Sequence, residues 1–213
     1  MIIRYFKILL IFLLLPSVSL PNVANFEGKI KLVKESIYDT LVLNLLVKGD
    51  WIRMDEFNSN GELNQSFLIN LKNEKIYALS FAKKQYAELE QTSTSLTTSN
   101  LEVIKSPNSK EINGTVCNQW RVKDKNNNTV VTYWMSRQHF DFFPILVDVL
   151  SKSQTPLSIL STLPNSSNIF PMEVVSRTNL RKFMESIRVV KIENKSLPKQ
   201  DFIIPKNFRE LIG

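Results

Sequence analysis

From Phe26 the chain alternates: in FEGKIKLVK, Phe26, Ile30 and Leu32 interleave with Glu27, Lys29 and Lys31, the period-two pattern of a strand with one buried face. The next run, TLVLNLLVKGDWIRMDEF, is apolar on both parities. Leu41, Leu43, Leu45 and Val47 fall on one side and Val42 and Leu46 on the other, so both faces of that strand must be covered. Gly49-Asp50 turns the chain into a strand from Trp51 to Phe57, and Asn58-Ser59-Asn60-Gly61 predicts another turn. Strands follow at 67–71, 76–81 and 86–89, divided by Lys72-Asn73-Glu74 and Lys83-Lys84. The polar run QTSTSLTTSN at 91–100 predicts a loop or a weakly held edge.

A hairpin is written at 119–135, where Val, Thr, Tyr and Trp flank the turn Lys125-Asn126-Asn127-Asn128. The period then changes. QHFDFFPILVDVLSK places Phe143, Val147 and Leu150 at helical spacing with Leu146 beside them, Asp141 in position to cap and Pro144 in the first turn. This predicts a helix over 142–152, with a further short helical turn at 157–163. Strand patterns resume at 170–178 and 186–194, and 202–204 reads as a terminal edge segment stopped by Pro205. No strand–helix–strand rhythm repeats, so the expected class is α+β, mainly β: one curved antiparallel sheet on one or a few helices.

The first residues, MIIRYFKILLIFLLLPSVSL, set Arg4 and Lys7 before an apolar run and small residues, as a secretory signal peptide does. Residues 1–19 are expected to be removed, leaving one sheet-rich domain over 20–213 with its core at about 26–208. The run is shorter than the roughly 18–20 apolar residues that span a bilayer, so no membrane anchor is expected after processing. The predicted location is periplasmic or secreted. The lone cysteine, Cys117, excludes an internal disulfide and is read as a free thiol, an intermolecular disulfide being the alternative. The net charge of +7 comes from 19 lysines and 8 arginines scattered among acids, a balance that does not suit phosphate reading, and nucleic acid is not an expected partner.

Catalytic chemistry is poorly provided for. The one histidine, His139, stands beside the expected helix cap, and nothing around Cys117 has a nucleophile signature. Paired-cysteine, HxH and HExxH spacings are absent and glycines number five, so neither a metal, a cofactor nor a phosphate loop is expected. Apolar side chains are what remain. Trp51, Tyr77, Trp120, Trp134 and Phe143 are the candidates to line an interior that takes a hydrophobic ligand, and the same residues suit an ordinary core.

Several stretches together carry a resemblance. LVKGDWIRMDE followed by FLINLKNEKIYALSFAKKQYAEL resembles the outer-membrane lipoprotein-carrier superfamily (LolA/LppX-like). INGTVCNQWRV, TVVTYWMSRQHF, FPMEVVSR and VVKIENKSLPKQDFIIPKNF are similar to a secreted domain-of-unknown-function family related to those carriers. The resemblance implies a half-open antiparallel barrel wrapped over helices, with an interior that receives lipid chains. It matches Arg53 to the basic position of the carrier strand and Tyr77 to the aromatic of the next hairpin. The function it implies is a non-enzymatic carrier or binding domain whose partner is a hydrophobic small molecule, a lipid or a lipoprotein. The alternative is an envelope protein–protein interaction or assembly module with a solid core.

Overall fold

The computed structural model describes residues 26–90, 101–151 and 169–211. The expected leader, the polar run at 91–100 and the helical turn at 157–163 lie outside these. Twelve strands form one sheet: β1 (Gly28–Ser36), β2 (Thr40–Lys48), β3 (Trp51–Phe57), β4 (Leu63–Asn70), β5 (Lys75–Ser80), β6 (Gln85–Glu88), β7 (Leu101–Ile112), β8 (Thr115–Asp124), β9 (Thr129–Ser136), β10 (Phe170–Thr178), β11 (Phe183–Asn194) and β12 (Arg209–Glu210). Their order is β12-β6-β5-β4-β3-β2-β1-β11-β10-β9-β8-β7. The pairings are antiparallel except β12 on β6. The sheet is curved and does not close into a barrel.

One α-helix, α1 (Phe142–Ser151), is present among the described residues. Phe142, Phe143, Leu146, Val149 and Leu150 are all buried in the main core. Ten residues are too few for a stable helix in water; burial of these five side chains, at about 1.5–3 kcal/mol each, is what holds it. The sheet supplies its inner face: Ile30 and Leu32 of β1, Leu43, Leu45 and Val47 of β2, Ile52 and Met54 of β3, and Val174 and Ile187 across the β10–β11 pair. The double parity of β2 is explained by a second layer. Leu46, with Leu68 and Leu79, faces outward and packs under Leu197 and Phe202.

That outer cover is the C-terminal segment, an outcome the sequence pattern did not convey. Phe202 does not sit in a strand: it ends a short 3-10 helix at Lys199–Phe202, buried among β3–β5 side chains, and the edge strand comes later, at β12. The segment is pinned at its start by Glu27, whose carboxylate accepts from Lys48 Nζ, from the Leu197 N–H at 2.7 Å and from Ser196 Oγ at 3.2 Å. The Lys48 hydrogen bond, then the Leu197 one, holds the Glu27 carboxyl below its ordinary value of 4.5. A carboxyl lowered on folding contributes stability that is present above its unfolded value and lost as pH falls through the folded one. Amide protection across residues 195–211, relative to the intrinsic exchange rate at each pH, is therefore expected to fall selectively once the pH drops below 4.5, before the sheet itself opens.

Candidate functional site

The residues that position a hydrophobic site are those where α1 meets the sheet. Ile30, Leu32, Leu45, Phe142, Phe143, Leu146, Phe170, Pro171, Val174 and Ile187 line the gap between them. Its wall is almost wholly apolar, and Phe143 and Phe140 each stand edge-on to Phe170, with ring centroids 4.8 Å apart. The gap encloses about 20 Å³, room for roughly one water molecule and far below the roughly 300–1,000 Å³ of a small-molecule pocket. In this state α1 fills the concavity. A second hollow of about 130 Å³ opens at the helix entrance between Phe26, Gly49, Asp50, Leu71, Asp141, Phe142 and Ile145.

Of the five candidates from the sequence, Phe143 alone lines the gap under α1. Trp120 stands opposite the buried Tyr133 on the inner face, partly buried, with the Lys105 ammonium 4.1 Å from its ring centroid. Trp51 and Tyr77 belong to the outer cluster beneath the C-terminal segment. Trp134 pairs with Glu173 on the outer side and lies under Lys110, 4.4 Å from its ring. Strand parity forces this division: Trp51 is next to the inward Ile52, and Trp134 lies between the inward Tyr133 and Met135. Arg53 also faces outward. It donates to Asp55 at 2.8 Å and to the Asp201 carbonyl at 3.4 Å, and its guanidinium lies 5.2 Å from the Phe81 ring centroid, so it ties the C-terminal segment to β3.

The sequence reading missed a second constellation, at the tip of the β7–β8 hairpin. Asn113, in the left-handed region at φ 50°, reaches β11 and donates to the Val189 and Val190 carbonyls at 2.7 and 3.2 Å. Lys110 pairs with the carboxylate of Glu173, which also accepts from Arg188 at 3.3 Å. Glu173 is buried, and one cation on each side satisfies it. Cys117, opposite Lys110 in the ladder, is fully buried. Desolvation pushes its thiol up; Lys110 works against this and Glu173 with it. A disulfide to another chain would require the hairpin to lift. Lys110→Met removes one cation from Glu173 and is expected to cost about 1–2 kcal/mol, since Lys110 is itself partly solvated. Losing Lys110 also removes the charge that favours the thiolate, so Cys117 is expected to label several-fold faster only through more frequent opening of the hairpin, which a labelling time course measures.

His139 and Asp141 contact each other at the entrance to α1, both exposed. Among the described residues no group of three or more His, Cys, Asp or Glu is placed to hold a metal ion. No helix among them is long and apolar enough to cross a membrane.

The fold has counterparts among solved structures. An uncharacterised conserved protein from Thermus thermophilus superposes with a TM-score of 0.54 at 8% identity, over 88% of this chain and 91% of that one. The MucA/MucB complex from Pseudomonas aeruginosa gives 0.49 at 11% identity, over 82% of this chain and 54% of that one. An outer membrane lipoprotein-sorting protein domain from Vibrio parahaemolyticus gives 0.34 at 9% identity, over 82% and 87%. No curated protein matches the chain. The family match extends over residues 26–208, from the second residue before β1 to the approach to β12, and by it the chain belongs to the domain-of-unknown-function family DUF4412.

Proposed function

We propose that this domain is a non-enzymatic, extracytoplasmic binding module that takes a hydrophobic group, the acyl chain of a lipid or of a lipidated protein, onto the inner face of its sheet when α1 moves aside. The observation that carries this reading is the apolar seam between α1 and the sheet. Its lining is side chains of Ile, Leu, Val, Phe and Pro, and α1 has neither an acidic first turn nor a basic last turn to fix it electrostatically. Each methylene buried there would gain about 0.8 kcal/mol, so binding needs no catalytic group. The test is titration of the exported protein with a fluorescent fatty-acid analogue, alongside native mass spectrometry for co-purifying lipid. Saturable one-to-one binding that accelerates amide exchange in α1 supports the reading. An empty protein that ignores the probe sinks it.

The second reading is an envelope interaction module with a solid core, favoured by the gap of only about 20 Å³. It expects a specific protein partner from envelope extracts and no response to the fatty-acid probe.

A further inference from the structure

The strand order places five hairpin turns along one end of the sheet: 81–84 between β5 and β6, 58–62 between β3 and β4, 37–39 between β1 and β2, 179–182 between β10 and β11, and 125–128 between β8 and β9. The entrance to α1 lies at the other end, beside Gly49, Asp50 and Leu71. Asn58-Ser59-Asn60-Gly61 and Lys125-Asn126-Asn127-Asn128 have ordinary turn chemistry, and Phe81 of the 81–84 turn packs against Phe208 and under Arg53. The turns between β1 and β2 and between β10 and β11 differ. They carry Ile37-Tyr38 and Leu180, with Tyr38 90% and Leu180 93% exposed.

These apolar tips are held out rigidly. Ser36 Oγ accepts from the N–H groups of Tyr38 and Asp39 at 3.1 and 3.0 Å, and the Ser36 N–H donates to the Asp39 carbonyl at 2.8 Å. In the other turn the Arg181 N–H donates to the Thr178 carbonyl at 2.8 Å and the Lys182 N–H to Thr178 Oγ1 at 3.1 Å. Arg177 donates to the Arg181 carbonyl at 3.3 Å, and the Asn179 side chain donates to Asn128 Oδ1 at 3.2 Å, joining two turns. Arg181 has φ +66°, a left-handed conformation that is uncommon for a residue with a long side chain and normally given to glycine or asparagine. The turn is thus braced in a strained form that displays Leu180.

We infer that this rim docks onto an anionic phospholipid surface, with Leu180 and Tyr38 entering the headgroup layer. Charge selects the occupant. Exposed Lys125, Arg177, Arg181 and Lys182 surround Leu180, and the carboxylate of the neighbouring turn, Asp124, is directed inward to accept from the Asn126 and Asn127 N–H groups. Glu35 and Asp39 flank Tyr38 and bias the contact toward the Leu180 side. Protruding, separated apolar tips beside cations suit a fluid interface that deforms around them, and a tyrosine suits the headgroup level. A protein partner would call for a contiguous patch instead.

The inference does not depend on the acyl-binding reading: a protein that ignores the fatty-acid probe but sediments through Leu180 leaves it intact. The exported protein is sedimented with vesicles of phosphatidylcholine alone or mixed with phosphatidylglycerol. Binding is expected for the anionic mixture, reduced about tenfold or more by Leu180→Asp and by Tyr38→Asp, with unchanged melting because both side chains are exposed. In Leu180→Trp the added indole, compared with the parent's three tryptophans, is expected to shift its emission to the blue on the anionic vesicles and to be quenched by brominated lipid. Equal sedimentation of Leu180→Asp and the parent would overturn the inference. So would Leu180→Trp emission that vesicles leave unmoved, or a photocrosslinker at position 180 that captures protein and no lipid.

Discussion

Leu146→Ala is expected to destabilise the domain by about 3 kcal/mol, measured as a shift in the urea midpoint. Leu146 is 1% exposed and lines the gap between α1 and the sheet. Removing its side chain loses the burial of several carbons and leaves a space that the surrounding phenylalanines, fixed edge-on to Phe170, fill only in part. The same variant tests how α1 is joined to the rest. If helix and sheet are one cooperative core, every probe reports the full loss at one midpoint. If α1 can also open separately, as the binding reading requires, amide protection falls first and furthest across residues 142–151, ahead of the shift in the sheet's midpoint. The enlarged gap should also take up a small apolar molecule that the parent excludes.

Gly28→Ala is expected to cost about 3 kcal/mol despite adding a single methyl group. A Cβ at this position would stand 2.0 Å from the Glu193 carbonyl oxygen and 3.0 Å from its carbon, both backbone atoms, and 3.1 Å from the ring of Phe26. The ring can swing away; the strand cannot without opening the start of the β1–β11 ladder. Glu27 precedes this point, and its carbonyl accepts the Lys195 N–H while its carboxylate holds Leu197. The damage should therefore spread to the C-terminal cover, with exchange at 195–211 rising together with the loss of midpoint. A Gly28→Ala protein within about 0.5 kcal/mol of the parent would mean that the strands do not approach so closely.

The sheet was legible where alternation and turn residues coincide. Strands β1 to β6, the β8–β9 hairpin and α1 follow the periods of their apolar residues, and Asp141 and Pro144 mark the helix start correctly. β7 was not legible, because an edge strand buries little: its segment LEVIKSPNSKEI is exposed at most positions and holds Pro107 at an irregularity between Lys105 and Ser109. The C-terminal cover was hidden for another reason. Leu197, Ile204 and Phe208 reach the outer cluster from irregular backbone and Phe202 from a single 3-10 turn, segments too short or too irregular to have a period to read. For the site, tryptophans mark burial without saying which face is covered by what. With β2 and β3 apolar on both sides, parity divides the aromatics into two groups but does not name the inner one. The Lys110–Glu173–Arg188 group comes from three separate strands, and only the register of the finished sheet brings it together.

The short parallel pairing of β12 on β6 covers one border of the sheet. Arg209 donates its N–H to the Lys84 carbonyl at 3.0 Å and Leu211 to that of Tyr86 at 2.8 Å, so residues 209–211 occupy hydrogen-bonding groups that a neighbouring copy would otherwise recruit. The opposite border, β7, is guarded by Pro107 and lysines, the usual defences of an open strand. A protease that trimmed the chain before Arg209 would uncover one border and not the other. The products would then have an adhesive end and a repellent one, and association should stop at pairs joined through β6 rather than continue into fibres.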